Sequence, residues 1–273
     1  VENGTITYVQ SLREDLGIFR VTPENGVPDF KAGQFLTLGL PLESKIVNRA
    51  YSIASSPENK KFFEFVIRWV RRPLPGRLTS LLFNAKIGDK ISWAKPAGNL
   101  TINNTLPSGE KDTRRIVCIG GGTGLAPFVS FAQHLHDTND KREIVVLHGA
   151  SYVDELSYKQ LLTDLENESI DKGKDKWNFK YRAAISRPEE WTNRAWNGHK
   201  GRIEQFLRSN DAGKSPLDEL VGEKITKDNT MFYVCGWQGT IDGTMDYLKT
   251  KNFVTEKNKR EDGSYEVKFE SYG

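Results

Sequence analysis

The chain has 273 residues and a formal net charge of +3. That length accommodates two ordinary domains with separate cores, and so small a net charge gives no nucleic-acid footprint. No apolar run approaches the ~18 residues of a membrane-spanning helix. The two cysteines, Cys118 and Cys235, lie in strand-like stretches, offer no disulfide framework and fit a reducing compartment. No metal site is indicated: the four histidines lack ligand spacing, and His134 and His136, two apart on a helix, cannot share a face.

Up to about Leu100 the apolar residues come in short alternating runs broken by Gly, Pro and Asn: 6–9, 17–21, 35–40, 62–70 and 90–93. Several short strands at regular spacing predict an antiparallel β-barrel. Two stretches inside it look chemical. In Arg49-Ala50-Tyr51-Ser52 the period of two puts Arg49 and Tyr51 on one strand face, a fork for a phosphate beside a ring that can stack. In Gly76-Arg77-Leu78-Thr79 a glycine turn leads into an apolar helix, with Thr79 as its expected N-cap. Capping alone explains the hydroxyl, yet the same geometry makes an anion site with Arg77 beside it.

A polar linker at 107–112 precedes a change of pattern. Strand-like runs at 116–119, 144–148, 179–185 and 231–235 then alternate with helical ones near 126–136, 155–166, 203–208 and 241–250. That is a βαβ pattern and a mostly parallel sheet. The expected organisation is an N-terminal antiparallel β-barrel over 1–110 and a C-terminal α/β parallel-sheet nucleotide-binding domain over 111–273, with a ligand in the cleft between them.

The second domain is organised around Ile116-Val117-Cys118-Ile119-Gly120-Gly121-Gly122-Thr123-Gly124-Leu125-Ala126-Pro127. A buried strand runs into four glycines and then a helix, which presents bare backbone N–H groups to a phosphate. No Gly-Lys-[Ser/Thr] follows, so this is not a triphosphate loop, and the G-x-G-x-x-G spacing is not met either.

With Arg49-Ala50-Tyr51-Ser52, Gly76-Arg77-Leu78-Thr79, Gly122-Thr123-Gly124-Leu125-Ala126-Pro127 and Cys235-Gly236 in this order, the chain resembles the ferredoxin/flavodoxin–NADP⁺ reductases, most of all the bacterial members, over nearly its whole length. The resemblance implies a six-stranded FAD barrel followed by an NADP(H) domain. It implies that Arg49 and the stretch of Gly76, Arg77, Leu78 and Thr79 hold the FAD pyrophosphate. It places Tyr51, with Ala50, along the isoalloxazine or ribityl chain, Ser52 near the hydride-accepting nitrogen, and Val66 and Arg68 by the adenine. Gly122, Thr123 and Gly124 take the NADP pyrophosphate, and Cys235 with Gly236 stands beside the nicotinamide. Glu270 and Tyr272 match the C-terminal E-x-Y of the plant-type members, although Gly273 follows here and some bacterial members end in Trp; the match implies Tyr272 stacked on the flavin, with Gly273 loose. Ser52 and Glu270 are the candidates for proton handling, so the expected catalytic set is Ser52, Cys235, Glu270 and Tyr272.

The choice of pyridine nucleotide has a physical argument. An NAD site puts a carboxylate at the tip of the second strand, and here that strand ends His148-Gly149-Ala150-Ser151. Ser186-Arg187 after the third strand and Gly201-Arg202 later offer hydroxyl and guanidinium to a 2′-phosphate, so NADPH is expected over NADH. Ser151 departs from the Arg of some bacterial members, and Trp237-Gln238-Gly239-Thr240 departs from their nicotinamide wall. No plant-type C-x₄-C-x₂-C cluster is present, so the electron acceptor, ferredoxin or flavodoxin, is a separate and acidic protein. Arg68, Arg71, Arg72, Arg77, Lys45 and Lys95 are the candidate docking face. A cytoplasmic monomer is expected, and the start at Val1 leaves room for a removed targeting segment. A reductase component of an oxygenase, or a free-flavin reductase, is the alternative on the same fold.

Overall fold

The computed structural model describes residues 2–272. One compact unit comprises residues 2–101 together with the helix Ala126–Asp137, and the other comprises 102–125 with 138–272.

The first unit is a six-stranded antiparallel sheet. Its strands are β1 (Glu2–Arg13), β2 (Leu16–Pro23), β3 (Phe35–Leu42), β4 (Lys45–Ser52), β5 (Phe63–Arg68) and β6 (Lys90–Trp93), in the order β4-β3-β6-β1-β2-β5, with the end strands β4 and β5 in contact. Alternation builds the core: Phe63, Phe65 and Ile67 of β5 pack with Phe19, Leu36, Leu38 and Trp93, while Glu64, Val66 and Arg68 take the other face. Helix α1 (Arg77–Asn84) buries Leu78, Thr79 and Leu82 against this core.

The N-cap of α1 differs from the sequence expectation. It is Gly76, with no side-chain cap, and Thr79 lies in the helix's first turn. Gly76 donates its N–H to Val70 and accepts from Ser80, which starts the helix one turn before Thr79. The Thr79 hydroxyl then donates back to the Gly76 carbonyl at 3.1 Å.

Helix α2 (Ala126–Asp137) belongs to this unit although it follows the glycine turn in sequence. Its polar side is spent on the 54–58 segment: Ser130 and Gln133 donate to the carbonyls of Ser55 and Ala54, and Ser56 donates to Asp137. His134 meets Glu58 at 2.8 Å.

The second unit is a parallel sheet of β7 (Arg115–Gly121), β8 (Ile144–Ala150), β9 (Phe179–Ile185), β10 (His199–Lys200), β11 (Thr230–Gly236) and β12 (Val267–Ser271), ordered β10-β9-β8-β7-β11-β12. Every residue of β7 and β11 is buried, as strands covered on both faces must be. The order reverses between β7 and β11, and in such sheets ligands bind beyond the carboxyl ends of the strands at that reversal. Helix α3 (Lys159–Lys172) starts four residues later than the sequence pattern suggests, because Tyr158 adopts a left-handed φ of 59° and 153–155 form a 3-10 turn instead. The expected helix at 203–208 is likewise a 3-10 turn, Ile203–Leu207. A six-residue helix, α4 (Pro216–Val221), was not read from the pattern, although Ser215 and Asp218 form a capping box and Pro216 opens it. Helix α5 (Gln238–Thr250) follows β11.

Candidate functional site

In the second unit, six sequence-predicted stretches reach the same carboxyl edge of the sheet. The glycine turn leaves β7, Ser151 leaves β8, Ser186-Arg187 leaves β9, Arg202 follows β10, Cys235-Gly236 ends β11, and Glu270 to Tyr272 end β12. In a parallel sheet this convergence follows from strand direction alone, which is why residues 150 positions apart in sequence share one edge.

The turn Gly122–Leu125 is a 3-10 turn leading into α2. Two of its glycines are required for different reasons. A β-carbon on Gly124 would lie 2.3 Å from the carbonyl oxygen of Cys235, so the turn and the end of β11 approach as only glycine permits. Gly122 has φ 56°, a left-handed value, and a β-carbon there would meet nothing within 4 Å. Its side therefore opens outward, as a phosphate cradle must. The first N–H groups of such a turn have no partner within it. Beneath it, His148 of β8 is fully buried, and its Nε2 lies 3.1 Å from the Gly122 carbonyl.

Around the second and third strand tips the structure assembles more than the sequence reading named. Arg187 is exposed and donates from Nη1 to the Tyr152 hydroxyl at 2.9 Å, with its guanidinium 5.5 Å from that ring's centre. Asn193, 1 % exposed, donates to the carbonyls of both Ser151 and Arg187 and accepts from the Val153 N–H, so one amide ties the two tips together. Ser186 continues the pairing by donating its N–H to Ala150. Tyr152 and Asn193 were missed because neither stands in a motif; their only signal is proximity in the fold.

The absence of an acid at the second strand's tip needs correction. Glu155 curls back through the 3-10 turn, and its Oε2 accepts the Ser151 N–H at 3.2 Å. Reading only the strand's last residues misses a carboxylate four positions on. Arg202 is engaged as well: its Nε binds the buried carboxylate of Glu204, and its Nη2 donates to the Gly239 carbonyl at 2.9 Å.

At the other side of the edge, Cys235 is fully buried and pairs in register with Glu270. Burial pushes its thiol far above the ordinary value, opposed by a hydrogen bond with the Tyr272 side chain. Tyr272 is half-buried and donates its own N–H to the Gly236 carbonyl at 2.9 Å. Its side chain thus rests on the Cys235-Gly236 end of β11. Gly273 lies outside the described residues.

In the first unit, β4 is an edge strand with Arg49 and Ala50 exposed and Ser52 buried. Among the described residues the exposed Arg49 side chain donates to the neighbouring Asn48 carbonyl and to nothing else. Tyr51 is half-buried, but its hydroxyl is fully buried with no hydrogen-bond partner among the described residues. Burial raises that hydroxyl to about 12, with Arg49 pulling the other way. A buried phenol without a partner is costly and rare, and it marks a place for an acceptor from a bound group. The α1 N-terminus, capped by glycine, adds the N–H groups of Arg77, Leu78 and Thr79, and Arg77 is exposed beside them. Val66 is buried, and Arg68 is held by Asp15 at 3.1 Å. These residues fit a dinucleotide pyrophosphate with a planar ring system.

Tyr51→Phe follows from the unpaired hydroxyl. It is expected to stabilise the flavin-free protein by about 1 kcal/mol, the desolvation of one unpaired donor, while weakening FAD retention. Thermal melts with and without added FAD check both halves; a less stable flavin-free variant would contradict the assignment.

An antiparallel sheet whose edge strand carries an exposed arginine and whose helix starts at a glycine, together with a reversing parallel sheet with a glycine turn, defines the class of two-nucleotide flavin oxidoreductases. Residues 3–102 match the family model of the oxidoreductase FAD-binding domain, and 118–246 match that of the oxidoreductase NAD-binding domain. The ferredoxin–NADP reductase of Azotobacter vinelandii is 30 % identical over 247 residues, covering 89 % of this chain and 88 % of the relative. The flavodoxin/ferredoxin–NADP reductase of Shigella flexneri is 28 % identical over 233 residues, covering 85 % and 84 %. The fold is that of a Neisseria gonorrhoeae ferredoxin NADP⁺ reductase solved with bound FAD and NADP, with a TM-score of 0.77 at 22 % identity over 98 % of this chain and 97 % of that one. The chain belongs to the ferredoxin–NADP reductase family of FAD- and NAD(P)-binding oxidoreductases.

Proposed function

We propose that this protein passes electrons between NADPH and a small one-electron carrier, ferredoxin or flavodoxin, with residues 1–110 as the FAD domain and 111–273 as the NADP(H) domain. The observation that carries the reading is the carboxyl edge of the parallel sheet. It holds a glycine turn for a pyrophosphate, the Arg187–Tyr152 pair for a 2′-phosphate, and the Cys235–Tyr272 contact for a flat ring.

FAD, when bound, supplies the conversion of a two-electron donor to a one-electron one. The chain's own residues bind, orient and exclude water. Arg49 and the α1 N-terminus hold the FAD phosphates, and the Tyr51 hydroxyl gains the acceptor it lacks. Gly122 to Gly124 hold the NADP pyrophosphate through backbone N–H groups. Ser186 and Arg187 meet the 2′-phosphate; Ser151 and Arg202 line the same rim, Arg202 mainly as the brace between Glu204 and Gly239. The Cys235 thiol stays protonated at neutral pH and so works by packing, not as a nucleophile. Ser52 and Glu270 hold the mobile proton.

The carrier is a separate acidic protein, for which Arg71, Arg72 and Arg77 stand exposed on and before α1. Among the described residues no helix is long and apolar enough to cross a membrane; a cytoplasmic monomer is part of this proposal. A second reading has two observations behind it: the reductase component of propane 2-monooxygenase from Mycolicibacterium goodii is 30 % identical over 248 residues, although the match spans only 62 % of it, and Glu155 brings a carboxylate to the tip of β8, where an unphosphorylated ribose would meet it. Turnover with ferredoxin, flavodoxin and free flavin as acceptors separates these. Rapid turnover of a protein carrier supports the proposal; turnover of free flavin alone contradicts it.

A further inference from the structure

His148 is out of place in its strand. It follows Ile144-Val145-Val146-Leu147 in β8, is fully buried, and stands where an aliphatic side chain would extend the core. Its Nε2 lies 3.1 Å from the Gly122 carbonyl, and its Nδ1 has no partner among the described residues. A carbonyl only accepts, so Nε2 carries the proton and Nδ1 is left with a buried lone pair. Leucine would avoid that unpaired nitrogen, so the histidine is explained by what its other nitrogen holds.

We propose that His148 is a positioning residue that locks the Gly122–Thr123 peptide with the Thr123 N–H turned toward the pyridine-nucleotide pyrophosphate. In a planar trans peptide the C=O of one residue and the N–H of the next point to opposite sides. With the Gly122 carbonyl aimed at His148 of β8, the Thr123 N–H is aimed away from that strand, and the turn is open enough at Gly122 that a β-carbon there would meet nothing within 4 Å. That peptide turns on ψ of Gly122 and φ of Thr123, and glycine leaves the first of these unhindered. Left free, that peptide has a second orientation which presents its carbonyl oxygen to the phosphate and repels it. A buried donor beneath the turn selects the first. The inference rests on the turn being the nucleotide site.

Isothermal titration of the FAD-loaded protein with NADP⁺, beside steady-state kinetics with NADPH, tests it on the wild type and on His148→Phe, His148→Leu and His148→Gln. The Phe and Leu variants are expected to raise Kd and KM about tenfold, the worth of one oriented hydrogen bond to a charged ligand, with a smaller change in kcat and full FAD content. Glutamine places an amide nitrogen near the same carbonyl and is expected to stay within about threefold of wild type. Folded Phe or Leu variants with wild-type Kd, or a Gln variant as impaired as Leu, would overturn the proposal. Should the apolar variants fail to fold, imidazole ¹⁵N spectra of the wild type decide: the Nε2–H tautomer is expected at neutral pH, and the Nδ1–H tautomer overturns the proposal. A wild type that binds no NADP⁺ at all would refute the nucleotide reading itself, and this inference with it.

Discussion

Arg187→Ala is expected to lower kcat/KM for NADPH by about 10- to 100-fold while changing that for NADH by less than about twofold. The asymmetry follows from position. Arg187 is exposed beyond the tip of β9, and its side chain donates to the Tyr152 hydroxyl, which fixes the direction of the fork without neutralising it. Among the described residues no carboxylate pairs with Arg187, so a 2′-phosphate meets its full charge, whereas an unphosphorylated ribose meets nothing it needs. Arg202 makes the contrast clear, because its charge is already shared with Glu204. Arg202→Ala is therefore expected to have the weaker effect on discrimination. Steady-state kinetics with both nucleotides decide the matter, and equal losses for NADPH and NADH would remove Arg187 from the 2′-phosphate site.

The second large effect is on stability below neutral pH. Burial pushes His148 down to about 4, with the Gly122 carbonyl pulling the other way. An unfolded histidine titrates near ~6.5, so between about pH 6.5 and 4 the unfolded chain binds a proton that the folded one refuses. The stability contributed by the neutral ring is complete above about pH 6.5 and declines as pH falls to about 4, by about 3 kcal/mol in all. Other groups titrate in the same interval. His199 is also lowered by burial, and the native carboxylates follow at the acid end. The difference between wild type and His148→Gln isolates the one ring. Denaturant unfolding at pH 7, 6, 5 and 4 is expected to show the wild type losing ground to His148→Gln across that range; parallel profiles would show that the ring is not held neutral.

What the sequence made legible was whatever is local in the chain. Gly120 to Gly124 between an apolar strand and an apolar helix announced a phosphate turn, because strand, turn and helix are contiguous and each has its own period. Arg49-Ala50-Tyr51-Ser52 was readable for the same reason, since a strand's period of two fixes which side chains share a face. The residues that brace the site were not legible. His148 looked like one more histidine near a strand end, and nothing in the chain says that Gly122 turns back over it. Tyr152 and Asn193 join two strand tips that only sheet order brings together. Glu155 seemed to open a helix, but Tyr158 in the left-handed region delays that helix and frees Glu155 to fold back on Ser151. At Thr79 a local rule misled: Ser/Thr before an apolar run is a capping signal, yet the bond from Gly76 to Val70 sets the helix start one turn earlier. The helix α2 shows the remaining limit. Sequence order assigns it to the nucleotide half, whereas Ser130, Gln133 and Asp137 bind it to the 54–58 segment of the barrel.

A chain built this way holds FAD and is expected to accept reducing equivalents from NADPH in preference to NADH. Anaerobic mixing of the purified, FAD-loaded protein with each nucleotide, followed by loss of the visible flavin band, tests it most directly. Rapid bleaching by NADPH is expected at concentrations where NADH acts at least about tenfold more slowly. A protein that takes up no flavin, or one bleached equally well by both nucleotides, would contradict it.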